Sequence, residues 1–150
     1  MDTATLSGSD EYYMGMALAE ARKAEAQNEV PVGTVIVAGG NVIARAHNLT
    51  ETLSDPTAHA EMQAITAAAS YLGGKYLIGC TLYVTVEPCV MCAGALAWSQ
   101  VSVVVWGSPD PKKGYTTTEA AILHPRTVVR GGILADECSA LMKQFFKKKR

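Results

Sequence analysis

The sequence predicts an α/β domain in which a mixed sheet is flanked by helices, and three observations carry that expectation. Two apolar runs, residues 30–38 and 42–47, are separated by Gly39-Gly40-Asn41, the composition of a tight antiparallel hairpin. Further on, apolar strands at residues 81–86 and 101–107 bracket a helical segment, and a strand-helix-strand unit implies a right-handed crossover between parallel strands. The chain has 150 residues, 49% of them apolar and 18% charged. That suits one folded domain able to bury roughly two-thirds of its unfolded surface.

Taken in order, residues 9–28 read as the first helix, with Ser9 at the N-cap and Asp10 and Glu11 at the positive end of its dipole. Met14, Leu18 and Ala21 recur there at helical spacing, and Asn28 and Pro31 mark the end. Residues 30–38 are β-branched and apolar with little alternation, which fits a strand covered on both faces, Pro31 sitting at its start. After the returning strand, residues 48–56 are polar and aperiodic and form a loop, from which Asp55 or Thr57 caps a second helix over about residues 58–72. Gly73-Gly74 stops it. Residues 81–86 are a strand, and Pro88 opens a third helix through about Trp98, proline being favoured in a first helical turn. Residues 101–107 are a further buried strand. The irregular stretch 108–125 is too long for a simple connector and is placed to carry substrate contacts. Residues 127–129 make a short strand. Residues 134–147 make a closing amphipathic helix with Leu134, Cys138, Leu141 and Phe145 on one face.

The formal net charge of -1 gives no global attraction to nucleic acid, yet four of the 13 basic residues are the last four, Lys147-Lys148-Lys149-Arg150. The first ten residues are polar and lack the basic start and apolar run of a signal peptide. No stretch reaches the roughly 18 consecutive apolar residues of a membrane helix, so a soluble, cytoplasmic protein is expected. Of four cysteines, Cys80 and Cys138 read as small core residues, and Cys89 and Cys92, three apart in such a protein, favour metal chemistry over a disulfide. His47 and His124 read as structural, and Trp98 and Trp106 as core or interface.

The chemistry concentrates in Thr57-Ala58-His59-Ala60-Glu61 and Glu87-Pro88-Cys89-Val90-Met91-Cys92. On a first helical turn Cys89 and Cys92 point the same way, and the free backbone N–H groups there favour thiolates. His59 from the neighbouring helix start completes three ligands for a zinc ion that prefers four, leaving one position for water, the mark of a catalytic site. Glu61 is close enough to act as the proton carrier without being a ligand. Two thiolates and a neutral imidazole cancel the charge of the ion. The set is a hydrolytic one.

His59-Ala60-Glu61 with Pro88-Cys89-Val90-Met91-Cys92 fits the signature H-x-E…P-C-x-x-C of the zinc nucleobase deaminases. The chain resembles the cytidine deaminase-like superfamily, which implies a three-layer α/β/α fold with a mixed five-stranded sheet. The stretches Glu29-Val30-Pro31-Val32-Gly33, Asp55-Pro56-Thr57-Ala58-His59-Ala60-Glu61, residues 81–95 and residues 132–138 resemble the bacterial tRNA adenosine deaminases. That resemblance implies hydrolytic conversion of the wobble adenosine of an anticodon to inosine, with Zn2+ as cofactor, a tRNA anticodon loop as substrate, and a homodimer. It further implies that Asn48 hydrogen-bonds the flipped-out base and that the Ala60 backbone N–H faces its ring. Val32, Pro88, Asp110, Phe146 and Arg150 are the remaining expected substrate contacts. Residues 107–114 fit the family's G-x-x-D-x-K-x-G loop, and Phe145-Phe146 with the basic tail matches its closing helix, suited to stacking and phosphate contact. Tyr115-Thr116-Thr117-Thr118 departs from the pattern, standing where the family usually has a small, Gly-Ser-containing segment. Two other readings stay open: a deaminase of free bases or nucleosides such as guanine or cytosine, and a non-catalytic zinc- or RNA-binding module.

Overall fold

A computed structural model describes residues 3–149. Its elements run α1 (Thr3–Ala26), β1 (Gly33–Ala38), β2 (Asn41–His47), α2 (Ala60–Leu72), β3 (Cys80–Val86), α3 (Val90–Ser99), β4 (Val103–Ser108), β5 (Val128–Gly131) and α4 (Ala135–Lys148). The strands form one sheet in the order β2-β1-β3-β4-β5. β1 is antiparallel to β2 and β3, while β3, β4 and β5 are parallel. The β1-β2 turn is Gly39-Gly40 with φ of 56° and 79°, the positive angles that a two-residue hairpin connection demands.

Side-chain alternation along the strands builds two cores. Ile36, Leu82, Val84 and Val104 point to one face of the sheet, where Ala64 and Ala68 of α2 and Leu96 of α3 cover them. Val35, Val37, Tyr83 and Val105 point to the other, under Met14, Ala17, Leu18 and Ala21 of α1 and Cys138 and Leu141 of α4. The architecture is therefore three-layer α/β/α. Cover on both faces is why the first strand shows no polar alternation. Cys80 and Cys138 are buried core residues, as expected.

Several boundaries differ from the sequence expectation. α1 begins at Thr3, upstream of Ser9, because a nucleated helix extends cheaply and no proline interrupts it; it ends at Ala26, and Asn28 takes a φ of 62°. β1 begins at Gly33 because Pro31 has no N–H and the Val32 N–H turns back to the Val30 carbonyl at 2.8 Å. Neither Asp55 nor Thr57 caps α2: the Asp55 carboxylate accepts from the Thr57 N–H at 2.8 Å in a local turn, and His59 takes the N-cap position. Pro88 lies outside α3, whose N-cap is Cys89. Trp98 is 85% exposed, so it is no core residue, whereas Trp106 packs partly buried against the α2/α3 core. Among the described residues, no helix is long and apolar enough to cross a membrane.

The loop between β2 and α2 is held by Glu29, which is fully buried. Its carboxylate accepts from the backbone N–H of Glu51 at 3.1 Å and of Thr52 at 2.6 Å. Burial pushes its pKa up, but the Thr52 hydroxyl, those N–H groups and the Thr50 hydroxyl outweigh it and leave the carboxyl below its ordinary 4.5. A lowered folded pKa gives stability that is present above the unfolded value and is lost as pH falls through the folded one. Glu29→Gln is therefore expected to lower Tm at neutral pH by roughly 4–8 °C, equivalent to about 2 kcal/mol. Calorimetry across the acid range should show the gap closing as pH falls below the ordinary 4.5 and through the lower folded value. A gap independent of pH contradicts the charged role.

Candidate active site

The two halves of the sequence motif meet at the starts of α2 and α3. His59 has φ -67° and ψ 154° and Cys89 φ -73° and ψ 173°, extended N-cap backbone, and neither side chain caps its own helix. Both donors are thus left free to face each other, with Cys92 one turn into α3. His59 Nδ1 lies 3.4 Å from Cys92 Sγ and 3.7 Å from Cys89 Sγ. All three donor atoms fall within 4.8 Å of one another. A tetrahedral zinc with Zn–S near 2.3 Å and Zn–N near 2.05 Å separates its donors by roughly 3.6 Å, so this nitrogen and two sulfurs fit that ion.

The electrostatics suit a cation. The hydrogen bond from the Cys92 thiol, with the His59 contact and the Cys92 backbone N–H, pushes the Cys89 thiol down to about 4 against the opposing effect of burial. Cys92 is pushed up, first by sharing its proton with Cys89 and then by burial. His59 is raised, chiefly by its hydrogen bond to Cys89. The pair of sulfurs therefore already carries negative charge, reinforced by the helix ends. Glu61, in the first turn of α2, is 4% exposed and outside the donor cluster. Burial lifts its carboxyl to about 7, against backbone hydrogen bonding and the His59 charge.

His59, Glu61 and Cys89 line a cleft of about 1200 Å³. Val32, Asn48, Ala60, Asp110 and Phe146 line it too. Asn48 is buried, and its backbone N–H donates to the Val32 carbonyl at 3.1 Å, tying those two together. Pro88 is buried and absent from the lining; its carbonyl instead accepts from the Tyr115 N–H at 2.9 Å. Arg150 lies outside the described residues. His47 is a structural residue, its ring 3.1 Å from the Gln27 side-chain oxygen and 3.4 Å from Glu20.

Sequence reasoning named the basic tail and the loop that holds Lys112 and Lys113, but it missed Lys143 and the buried carboxylates Glu87, which lines the cleft, and Glu29, which holds the loop before α2. Lys112 and Lys113 of the loop after β4 and Lys143 and Lys147 of α4 all line the cleft, so two separate elements bring cationic groups to it. The i, i+4 spacing of Lys143 and Lys147 beside Phe146 was the available signal. Glu29 and Glu87 were visible only as acids inside apolar runs.

The model of the cytidine and deoxycytidylate deaminase zinc-binding region matches residues 7–108. A tRNA-specific adenosine deaminase of Bacillus subtilis (strain 168) is 48% identical over 147 residues, covering 94% of this chain and 91% of the relative. A solved structure from work on A-to-I editing by tRNA:A34 deaminases at the wobble position is 39% identical with a TM-score of 0.81, covering 87% of this chain and 98% of that one. The guanine deaminase of Bacillus subtilis is 36% identical with a TM-score of 0.63, over 73% of this chain and 66% of that one.

Proposed function

The chain belongs to the zinc-binding cytidine and deoxycytidylate deaminase family, on the branch of the tRNA-specific adenosine deaminases, and from that premise we propose that it hydrolyses the wobble adenosine of a tRNA anticodon to inosine. One observation carries the substrate side of this reading. In a chain of net charge -1, lysines from two separate elements line the same cleft as His59 and Cys89, a charge pattern suited to phosphates flanking an inserted base. A free base carries no phosphate for them to meet.

When bound, zinc supplies Lewis acidity that brings a water proton within reach of a carboxylate near neutral pH. Glu61 accepts that proton as the water oxygen bonds to C6, and returns it to the ring nitrogen beside C6, which takes up the displaced electron pair. A second proton transfer lets the amine leave as ammonia, and the ring is left as inosine. Asn48 and the Ala60 backbone N–H orient the base, Val32 packs beside it, and Asp110 and Phe146 contact the neighbouring nucleotides. The low exposure of Glu61 keeps bulk water from competing for its proton.

The deciding measurement incubates the protein with an anticodon stem-loop and, separately, with a panel of free bases and nucleosides. Inosine in the RNA is expected; ammonia from free guanine or cytosine with unmodified RNA would place the chain with the base deaminases instead. Inactivity on every substrate with zinc bound would favour a silent binding module.

The same reading includes a homodimer and a cytoplasmic location beside the tRNA pool. Met91 and Trp98 lie seven apart on one face of α3, 36% and 85% exposed, and Tyr71 is 68% exposed at the end of α2. Apolar side chains grouped in this way suit a self-complementary contact. Trp98→Glu is expected to shift the light-scattering mass from dimer to monomer, and a wild-type monomer at micromolar concentration would end the dimer proposal.

A further inference from the structure

We propose that Glu87 is a positioning residue that fixes the lysine-bearing loop 109–117 at a set distance from the metal corner, and so controls RNA engagement without touching RNA. The inference rests on the reading of the substrate as an RNA loop. Glu87 is 4% exposed, and no cationic side chain among the described residues pairs with it. Its acceptors go to the loop instead. One carboxylate oxygen takes the Asp110 N–H at 3.1 Å; the other takes the Thr116 N–H at 3.0 Å and the Thr116 hydroxyl at 2.6 Å.

The loop is wrapped closely on this carboxylate. A Cβ added at Gly114 would collide with the Glu87 carboxylate and with the Asp110 carbonyl. Gly114 also forms a bridge with Cys89, and the Tyr115 N–H bonds the Pro88 carbonyl, so residues 87–89 and 114–116 are stitched side by side. Asp110 in turn accepts from the Lys112 and Lys113 N–H groups at 3.1 and 3.0 Å, which sets the path of the two lysines. One buried anion thus connects the strand end carrying a zinc ligand to the segment presenting cations to the cleft.

Glu87→Gln keeps the shape but turns one acceptor into a donor, which must face an N–H whichever way the amide points. Steady-state kinetics on the anticodon stem-loop should show KM raised about tenfold with kcat within about twofold and one zinc per chain, the pattern of lost uniform binding. Thr116→Ala, at an exposed side chain, should raise KM about threefold, and the double variant should be no worse than Glu87→Gln alone. Hydrogen exchange gives a readout independent of turnover: the Asp110 and Thr116 amides should exchange faster in Glu87→Gln while those of α2 are unchanged. A fall in kcat at constant KM, loss of zinc, or unaltered exchange in loop 109–117 would overturn the proposal. Should Glu87→Gln not fold, Thr116→Ala decides alone, and an unchanged KM there overturns it. Wild-type protein inactive on RNA sinks the substrate reading, yet the exchange experiment still reports whether Glu87 holds the loop.

Discussion

Glu61→Ala should lower kcat on the anticodon stem-loop by at least about 10³-fold while zinc stays at one per chain, because it removes the proton carrier and none of the three donors. The size of the effect follows from where the carboxylate sits. It lies in the first turn of α2, nearly sealed from solvent, where burial lifts its pKa to about 7. A group poised there both accepts and releases protons, and neither of the other carboxylates lining the cleft among the described residues can substitute, since Glu87 and Asp110 are committed to loop N–H groups. Glu61→Gln, which keeps the shape and loses the basicity, should fail equally. Single-turnover rates with metal analysis on the same samples make the check; a variant within tenfold of wild type would remove Glu61 from the mechanism.

Cys92→Ala has the second large expected effect, reaching metal content and stability together. Cys92 is fully buried and is one of the three candidate donors grouped among the described residues. Two remaining donors hold zinc poorly, so metal per chain should fall far below one and activity below detection. Because a ligand bound only to the native state stabilises it by RT ln(1 + [L]/Kd), losing it is worth about 4 kcal/mol at a thousandfold excess over Kd. Tm should drop accordingly, and a chelator should reproduce the drop in wild type but leave Cys92→Ala unmoved. Cys80→Ala, at a buried cysteine outside the donor cluster, should retain its zinc. One zinc per chain in Cys92→Ala would rule out the assigned ligand set.

The hairpin, the parallel pairing of β3 with β4 and the two cores were legible in the sequence because alternation and turn chemistry are local signals. Gly39-Gly40 and the unbroken apolar run in β1 each point to one structure. The candidate donor set was legible for the same reason, one histidine and two cysteines at a recognisable spacing. Boundaries were less so: Pro88 looked like a helix start, but the Tyr115 N–H recruits its carbonyl and α3 begins later. That competitor lies far along the chain and leaves no mark near Pro88. Glu29 and Glu87 escaped notice as positioning groups because their partners are backbone N–H groups of distant loops, which no side-chain pattern encodes. The joint placement of the lysines emerged only when α4 and loop 109–117 were brought to one cleft.

β3, β4 and β5 all point the same way, so the cysteine-bearing turn, the lysine loop and the entry to α4 all leave the sheet from its carboxyl edge. The opposite edge bears none of them. Insertions and deletions on the working edge lengthen or shorten a wall of the opening and leave both cores untouched, since loop closure grows only slowly more costly with length. The scaffold is therefore open to change in what it admits and closed to change in the reaction it performs. A descendant of this chain could acquire a different guest through residues 109–127 alone, long before a single donor to the metal had to move.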